Sequence, residues 1–397
     1  MTKTHIHPKS LTFPILLVLY EIATYLSNDM YLPALPQMMK EIGLSTKQAQ
    51  ATLTTWFIGS AFLPLVMGVI SDRYGRRPVL LLGGVIYILA TIACAITSDT
   101  NTLLIARFIE GAAIPSMMVA GYACIHELYD QKEAIRILAL MGSITVLAPA
   151  LGPLLGSIVL YFTSWRGIFW FISIWALIII VLLVRWMPET FPPEKRQPIH
   201  YGTLFIQYAR VLTNKKFMLL MMVLGFIFTG FIVWITAGPL LVIENFHYPP
   251  IVFGMFQAFV FAAYIAGNHL VKHILEFIKV STLIRLGLFI TLAGGILAFV
   301  SSVCFAKTIY PFLMSMTIYS FGSALCFSPL NRSIIEASDE PMSVRVSLFT
   351  VLWTGFAVLG SAIASLFFSG SILSISIPVA VVVIISAIMK IAAAYLP

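Results

Sequence analysis

Residues 68–78 read Gly-Val-Ile-Ser-Asp-Arg-Tyr-Gly-Arg-Arg-Pro, and they join two long apolar runs, Ala49–Ile70 and Val79–Thr97. Each run is long enough to cross a bilayer as a helix, which takes about 20 mainly apolar residues. The connection carries the charged residues Asp72, Arg73, Arg76 and Arg77, whereas neither apolar run contains a charge. This alternation of apolar spans and short charged connections predicts a helical membrane protein.

The composition of the whole chain agrees with this prediction. Of 397 residues, 60% are hydrophobic and 10% are charged, and the mean hydropathy is +0.98. A soluble domain is about 45–50% apolar and about 25% charged, so 24 Lys and Arg with 16 Asp and Glu are too few to cover a water-exposed surface. The composition excludes an intrinsically disordered chain and argues against a soluble enzyme.

The charge and the cysteines point to no other class of function. A net charge of +8 is ordinary for a multi-span protein, whose cytoplasmic loops collect Lys and Arg, and the basic residues form no single face for nucleic acid. Cys94, Cys124, Cys304 and Cys326 lie in or beside apolar runs without the spacing of a metal or disulfide site. We therefore expect no metal, no cofactor, no nucleic-acid partner and no catalytic site.

Apolar runs of spanning length occur twelve times and predict twelve transmembrane helices. They are Phe13–Leu35, Ala49–Ile70, Val79–Thr97, Thr102–Cys124, Ile135–Phe162, Ile168–Trp186, Phe217–Ile243, Ile251–Leu270, Ser281–Cys304, Ile309–Phe327, Ser343–Phe368 and Ile372–Leu396. The longest polar connection, at residues 188–216, divides them into two sets of six. The predicted fold is an all-α membrane protein with six-helix bundles at 1–187 and 217–397, as in two-bundle transporters.

The distribution of Lys and Arg predicts the orientation of the chain. If the N-terminus is cytoplasmic, nineteen of these residues fall on the cytoplasmic side, and Lys40, Lys47, Arg166 and Lys307 fall outside. Since Lys and Arg concentrate in cytoplasmic loops, we expect a multi-pass protein with both termini in the cytoplasm.

The first span contains two acidic residues, Glu21 and Asp29, which lie about 12 Å apart along a helix and about 80° apart around it. Tyr25 and Asn28 share their stripe. A charge inside a membrane is costly and marks a functional site by default, and burial makes a carboxylate easier to protonate. Proton coupling in transport would use such an acid, and a fixed ion pair with Arg107 is the alternative that stays open.

The fourth span contains Arg107 and Glu110, which are neighbours on one helix face because they are three residues apart. Two interpretations stay open. The guanidinium either acts on a nearby acid or a helix pair during transport, or it is simply neutralised by Glu110.

Further candidates lie in the fifth span and among the aromatic residues. Pro149, Gly152, Pro153 and Gly156 give the fifth span bends and a small face that favours close helix packing, and a purely structural kink is the alternative. Three large side chains are candidates to line an adaptable apolar cavity, although residues of these types more often pack in a core. They are Tyr122, Met141 and Trp165.

These motifs together resemble the major facilitator superfamily, and in particular its drug/proton antiporters. The resemblance rests on Gly68–Pro78, on Arg107 with Gly111, on Ala148–Gly156 and on the first-span stretch Leu19–Met30. Within Gly68–Pro78 the matching residues include Gly68 and Gly75, beside the charged residues named above. The resemblance covers essentially the whole chain.

The resemblance implies roles for several residues. Positions matching Glu21 and Asp29 handle protons and cationic drugs, those matching Tyr25, Asn28 and Met141 line the drug cavity, and the one matching Arg107 couples the acidic site to conformational change. The chain departs from the family pattern at Glu110, where the family usually has an uncharged amide. This extra acid would add a proton-binding step, favour more highly charged cations, or compensate Arg107.

The function expected from these features is proton-coupled efflux of lipophilic, cationic or neutral drugs by alternating access, in the bacterial inner membrane. The expected partners are the small-molecule substrate, the proton as coupling ion and the lipid bilayer, and the expected state is a monomer. Two alternatives stay open: an exporter of one metabolite such as a siderophore or sugar, and a channel or sensor without alternating access.

Overall fold

The computed structural model describes residues 11–191 and 201–394, and the regular structure in these ranges is helical. The helices are α1 Thr12–Asp29, α2 Leu35–Ile42, α3 Thr46–Phe62, α4 Pro64–Tyr74, α5 Arg76–Ile96, α6 Thr100–Leu128, α7 Gln131–Phe162, α8 Trp165–Trp186, α9 Tyr201–Thr213, α10 Lys215–Leu240, α11 Pro250–Ile274, α12 Val280–Cys304, α13 Tyr310–Ile335, α14 Met342–Phe367 and α15 Leu373–Ala394. The predicted all-helical fold is confirmed.

Within the described ranges, ten helical stretches are long and apolar enough to cross a membrane, and they correspond to ten of the twelve predicted spans. The other two predicted spans fall on α1, whose apolar sequence is interrupted by Glu21, Asn28 and Asp29, and on α7, whose apolar part is Val146–Phe162. Polar residues placed inside a helix thus distinguish α1 from a purely lipid-facing span.

Two of the predicted spans are not single α-helices. The first helix ends at Asp29, and a 3₁₀ turn at Leu32–Ala34 follows before α2 begins. The second span is broken at Leu63, between α3 and α4, where Pro64 has no N–H to continue the helical hydrogen bonds.

The chain divides into two compact units. In the described residues, unit 1 contains 11–37 and 55–191, and unit 2 contains 38–54 and 201–394. In unit 1, α1 packs against α7 and α8, and α5 packs against α6 and α8. In unit 2, α12 packs against α13, and α10 against α14 and α15.

The predicted domain boundaries, at 187/188 and 216/217, stay a prediction. Unit 2 includes residues 38–54, which are held there by an ion pair from Lys40 to Glu244 at 3.5 Å and a hydrogen bond between the Thr54 and Ser361 hydroxyls at 2.7 Å. Helix α9 lies inside the predicted linker. The two chain ends predicted to be cytoplasmic, and residues 192–200 of the linker, lie outside the described residues.

The exposed surface of α8 shows how the outer face of unit 1 is built. Ile174, Ile178 and Val181 are spaced by four and three residues, so they share one face, and each is more than half exposed. On the opposite face, Ile172, Ala176 and Leu183 are buried. An exposed apolar stripe over a buried apolar face is what a helix surrounded by lipid on one side requires.

The start of α6 is fixed by a side-chain cap. Asp99 Oδ2 accepts hydrogen bonds from the backbone N–H of Thr102 at 2.8 Å and from its hydroxyl at 2.9 Å. These hydrogen bonds to the charged form hold the pKa of Asp99 below its usual value. The cap sets the register of α6 and thereby the positions of Arg107 and Glu110 two and three turns later.

Candidate functional site

The polar residues of α1 are buried or partly buried in the chain. Glu21 is 0% exposed and Asp29 is 3% exposed, and Asn28 is also buried, while Tyr25 is partly buried. The predicted polar stripe therefore faces neighbouring helices. Two buried carboxyl groups on one membrane helix are costly unless they are protonated, paired or hydrogen-bonded.

Glu21 has one satisfied oxygen and one unsatisfied oxygen. The hydroxyl of Tyr122, on α6, donates a hydrogen bond to Glu21 Oε1 at 2.7 Å. Among the described residues, Glu21 Oε2 is buried and has no hydrogen-bond partner. A buried acceptor without a partner is rare, and a carboxyl oxygen in this position is available to a proton or to a cationic ligand.

Arg107 forms a fully buried ion pair with Glu110 within α6. Arg107 Nη1 lies 2.5 Å from Glu110 Oε2, and both side chains are 0% exposed. The second carboxylate oxygen, Oε1, accepts a hydrogen bond from the hydroxyl of Thr91 on α5 at 2.9 Å. The interpretation in which Glu110 compensates Arg107 is the one that this geometry supports.

The guanidinium of Arg107 also contacts the end of α1. It donates to the Ser27 carbonyl at 3.1 Å and to Asn28 Oδ1 at 3.5 Å, and its carbon lies 4.5 Å from the centre of the Tyr31 ring. The Asp29 carboxylate interacts with it electrostatically. Arg107 thus connects α6 to the last turn of α1, where one of the two predicted coupling acids lies.

The small residues of α7 allow its close contact with α1. A Cβ atom at Gly152 would lie 2.6 Å from Asp29 Cβ, and one at Gly156 would lie 1.7 Å from the Met30 carbonyl oxygen. The helix continues through Pro149 and Pro153. The glycines therefore bring the backbone of α7 directly against the residue pair Asp29 and Met30.

The charged connection of residues 68–78 forms a network at one end of unit 1. Arg76, at the start of α5, lies 2.5 Å from Asp72 Oδ1 and 3.1 Å from Glu127 Oε1 at the end of α6. Gly75 has φ of +103° and ψ of +155°, a conformation open to glycine alone. These contacts tie the ends of α4, α5 and α6 together.

The segment after α8 completes this network. The two carboxylate oxygens of Glu189 accept the backbone N–H groups of Arg76 at 3.0 Å and Arg77 at 3.3 Å, so Glu189 caps the N-terminus of α5. The hydroxyl of Thr190 donates to Glu127, and the ring of Phe191 lies under the Arg76 guanidinium. Arg73, in contrast, is exposed, and a Cβ atom at Gly68 would meet only Val119 Cγ1, at 3.9 Å.

Two predicted cavity residues are buried in unit 1. Trp165 is fully buried at the start of α8, where its ring packs edge-on against Phe169 and its backbone N–H donates to Gln37 Oε1. Met141 is fully buried in α7. The structure brings the predicted polar residues together in two separate groups on α1 and α6. One contains Arg107, Glu110 and Asn28, next to Asp29 in sequence, and the other contains Glu21 and Tyr122. The structure places the residues of the 68–78 network elsewhere, at the ends of α4 and α5.

Several residues of these sites were not predicted from the sequence. Thr91, Ser27, Tyr31 and Glu189 all make contacts with predicted site residues. Ser27 acts through its carbonyl, which has no sequence signal. Glu189 could have been found as an acidic residue directly after a span, facing a basic connection.

The described residues hold no group of three or more His, Cys, Asp or Glu side chains that could bind a metal ion. The chemistry that the site offers is the binding and release of protons and cations by carboxyl groups, with a guanidinium beside them. Helices long and apolar enough to span a membrane, together with buried acids and a buried arginine on α1 and α6, are typical of polytopic membrane carriers.

Comparison with known proteins places the chain within this class. The model of the Major Facilitator Superfamily matches residues 17–365, and the chain belongs to that superfamily. This confirms the fold and the family expected from the sequence. The members of this superfamily are transporters, and the chain is a multi-pass membrane protein of this kind.

Relatives of the chain include named resistance proteins. It is 30% identical to the chloramphenicol resistance protein CraA of Acinetobacter baumannii, over 89% of this chain and 85% of that protein. It is 31% identical to the multidrug transporter MdfA of Edwardsiella piscicida, and 31% identical to that of Escherichia coli, over 83% of this chain and 80% of each relative.

Solved structures share the fold at low sequence identity. A POT family transporter crystallised with a thioalcohol-conjugated peptide superposes with a TM-score of 0.76 at 13% identity, covering 96% of this chain and 95% of that one. A bacterial homologue of the lysosomal transporter Spinster gives a TM-score of 0.70 at 14% identity, covering 97% and 94%.

Proposed function

We propose that this chain exports lipophilic, often cationic drugs across the bacterial inner membrane in exchange for protons. The observation that carries the proposal is the buried pair of acids on α1. Glu21 has an oxygen without a hydrogen-bond partner among the described residues, and Asp29 directly follows two residues that Arg107 contacts. Relatives named as multidrug transporters and as a chloramphenicol resistance protein support it.

In the proposed cycle, the acid releases its proton to the cytoplasm as the drug binds from that side, and the ionised acid attracts the drug. A proton arriving from outside then neutralises the same acid and releases the drug. Burial strengthens both steps, because a charge in a low-dielectric site interacts more strongly than in water. The membrane potential supplies about 2.3 kcal/mol per charge and 100 mV.

The cycle needs no cofactor, since the proton is the coupling ion. The acids, Arg107 and Tyr122 all lie in unit 1 of a single chain, which favours a monomer as the working state. We propose the orientation with both termini in the cytoplasm, which follows from the distribution of Lys and Arg.

The test is drug-driven proton release from the purified protein, with tetraphenylphosphonium as the drug. Glu21→Gln and Asp29→Asn are compared with Glu336→Gln, which removes an exposed carboxylate paired with Arg332 in unit 2. We expect at least one of the first two variants to lose about 90% or more of the proton release, and Glu336→Gln to behave like the parent.

Two outcomes would contradict the proposal. The first is that both acid variants release protons like the parent. The second is that transport in vesicles continues unchanged when a protonophore removes the proton gradient. Transport of a single metabolite with no binding of several unrelated drugs would instead favour the metabolite exporter.

A further inference from the structure

In the ion pair between Arg107 and Glu110, each carboxylate oxygen of Glu110 has a partner. Glu110 Oε2 pairs with Arg107 Nη1 at 2.5 Å, and Oε1 accepts from Thr91 at 2.9 Å, so both carboxylate oxygens are occupied. Thr91 Oγ1 also lies 2.8 Å from the Tyr87 carbonyl of its own helix. Glu110 therefore has a fixed position between α5 and α6.

The same cation contacts the end of α1, where Asp29 lies. Arg107 donates to the carbonyl of Ser27 and to the side chain of Asn28, the two residues that precede Asp29, and attracts the Asp29 carboxylate. The guanidinium thus pairs directly with Glu110 and also contacts the two residues before Asp29, the acid predicted to exchange protons.

A buried arginine that loses its carboxylate partners is strongly destabilising, because the cation stays in a low-dielectric environment without compensation. If Asp29 were the only counter-ion, each neutralisation of Asp29 would leave Arg107 in that state. With Glu110 present, the cation keeps a partner whether Asp29 is charged or neutral.

We propose that Glu110 is a positioning residue that keeps Arg107 ion-paired while Asp29 is neutralised, and that this frees Asp29 to change its charge during transport. The proposal rests on the proposed function in one respect, the exchange of a proton or cation at Asp29. It assigns Glu110 no proton-binding step of its own.

A double-mutant cycle on the thermal midpoint of the purified full-length protein tests this assignment without any drug. Asp29→Asn stands for the neutral state of Asp29, and Glu110→Gln removes the fixed partner with little change of shape. We expect each single variant to lower the midpoint by a few degrees at most, because one carboxylate remains. We expect the double variant to fall by about 5 °C or more beyond the sum.

Two further variants separate charge pairing from simple packing. Adding Arg107→Gln to the double variant removes the unpaired cation and is expected to restore most of the excess loss. Glu110→Asp, which keeps the negative charge, is expected to restore at least half of it when combined with Asp29→Asn. The matched control combines Asp29→Asn with Glu127→Gln. Glu127 lies on α6, like Glu110, but is paired with Arg76, so the two changes in thermal midpoint should be additive.

Additive effects of Asp29→Asn and Glu110→Gln would overturn the proposal, as would a failure of Arg107→Gln to restore stability. If Glu110→Gln alone does not fold, the variant Arg107→Gln with Glu110→Gln decides: folding supports the pairing, and failure to fold overturns it. Drug-driven proton release is measured on the same samples. If the parent releases no protons, the proposed function is refuted, and the double-mutant cycle can still be interpreted. If the double-mutant cycle is additive while proton release is intact, this inference alone is refuted.

Discussion

At the scale of single residues, the contact between Glu21 and Tyr122 allows an effect on ligand affinity to be distinguished from an effect on the stability of the fold. The Tyr122 hydroxyl is the only hydrogen-bond donor to the Glu21 carboxyl among the described residues. Without it, a buried carboxylate would have no partner on either oxygen, and its charged form would become more costly. The charged form is the one that the proposed function needs for binding a cation.

We predict that Tyr122→Phe weakens the binding of tetraphenylphosphonium by about 10-fold, since a hydrogen bond to a charged group contributes about 1.5–3 kcal/mol. Equilibrium binding to the purified protein measures this directly. The matched control is Tyr87→Phe, because the Tyr87 hydroxyl also bonds to α1, but to the backbone carbonyl of Ala23 at 3.0 Å.

Tyr87→Phe should lower the thermal stability and leave the affinity within about twofold of the parent, a difference below about 0.5 kcal/mol. Equal losses of affinity in the two variants would show that Tyr122 acts through the packing of α1 and not through the charge of Glu21.

The sequence predicts the acids and the arginine of this site, and it does not predict which groups satisfy them. A charge in an apolar run is visible from composition alone, so Glu21, Asp29, Arg107 and Glu110 stand out. One partner of Arg107 on α1 is the carbonyl of Ser27, and every residue has a carbonyl. Thr91 is one of several hydroxyl residues in the spans, and only the packing of α5 against α6 selects it.

At the scale of helices, the contact between α1 and α7 depends on the absence of side chains. A Cβ atom at residue 156 would lie 1.7 Å from the Met30 carbonyl oxygen. Any side chain there forces the two helices apart and moves Asp29, which lies against Gly152. Gly68, although it belongs to the charged connection, has only the tip of Val119 nearby, at 3.9 Å.

We therefore predict opposite outcomes for the same chemical change at two glycines. Gly156→Ala should lower the thermal midpoint by several degrees, because overpacking costs about 1–3 kcal/mol. Gly68→Ala should leave it unchanged or raise it slightly, as alanine favours a helix. Thermal unfolding of the two purified variants is the measurement, and a larger loss at Gly68 than at Gly156 would contradict the described packing.

The helix positions were largely predictable, whereas the breaks within two spans were not. Hydropathy locates spans because backbone groups in lipid must be satisfied within helices. Proline inside a membrane helix is usually tolerated as a kink, and Pro149 and Pro153 in α7 behave so. Pro64 instead lies where α3 ends and α4 begins, and the sequence around it does not distinguish it from the two prolines of α7.

At the scale of the whole molecule, the predicted orientation places most of the Lys and Arg residues, which give the net charge of +8, on the cytoplasmic side of the membrane. The exposed residues Lys279 and Lys307 lie at the two ends of α12. A helix of this length and hydropathy crosses the bilayer, so these two lysines face opposite sides of the membrane. The orientation prediction assigns Lys279 to the cytoplasm and Lys307 to the outside.

A thiol at each position tests this assignment in intact cells. Cys304 is exposed and is first replaced by serine, while the other three cysteines are buried and can remain. We predict that a membrane-impermeant maleimide labels Lys307→Cys in intact cells, and that it labels Lys279→Cys only after the membrane is permeabilised. The reverse labelling pattern would show that the chain has the opposite orientation in the membrane. The direction of transport would not change, because an exchanger moves its substrate against the flow of protons in either orientation, but the acids of α1 would then be reached from the opposite sides of the membrane.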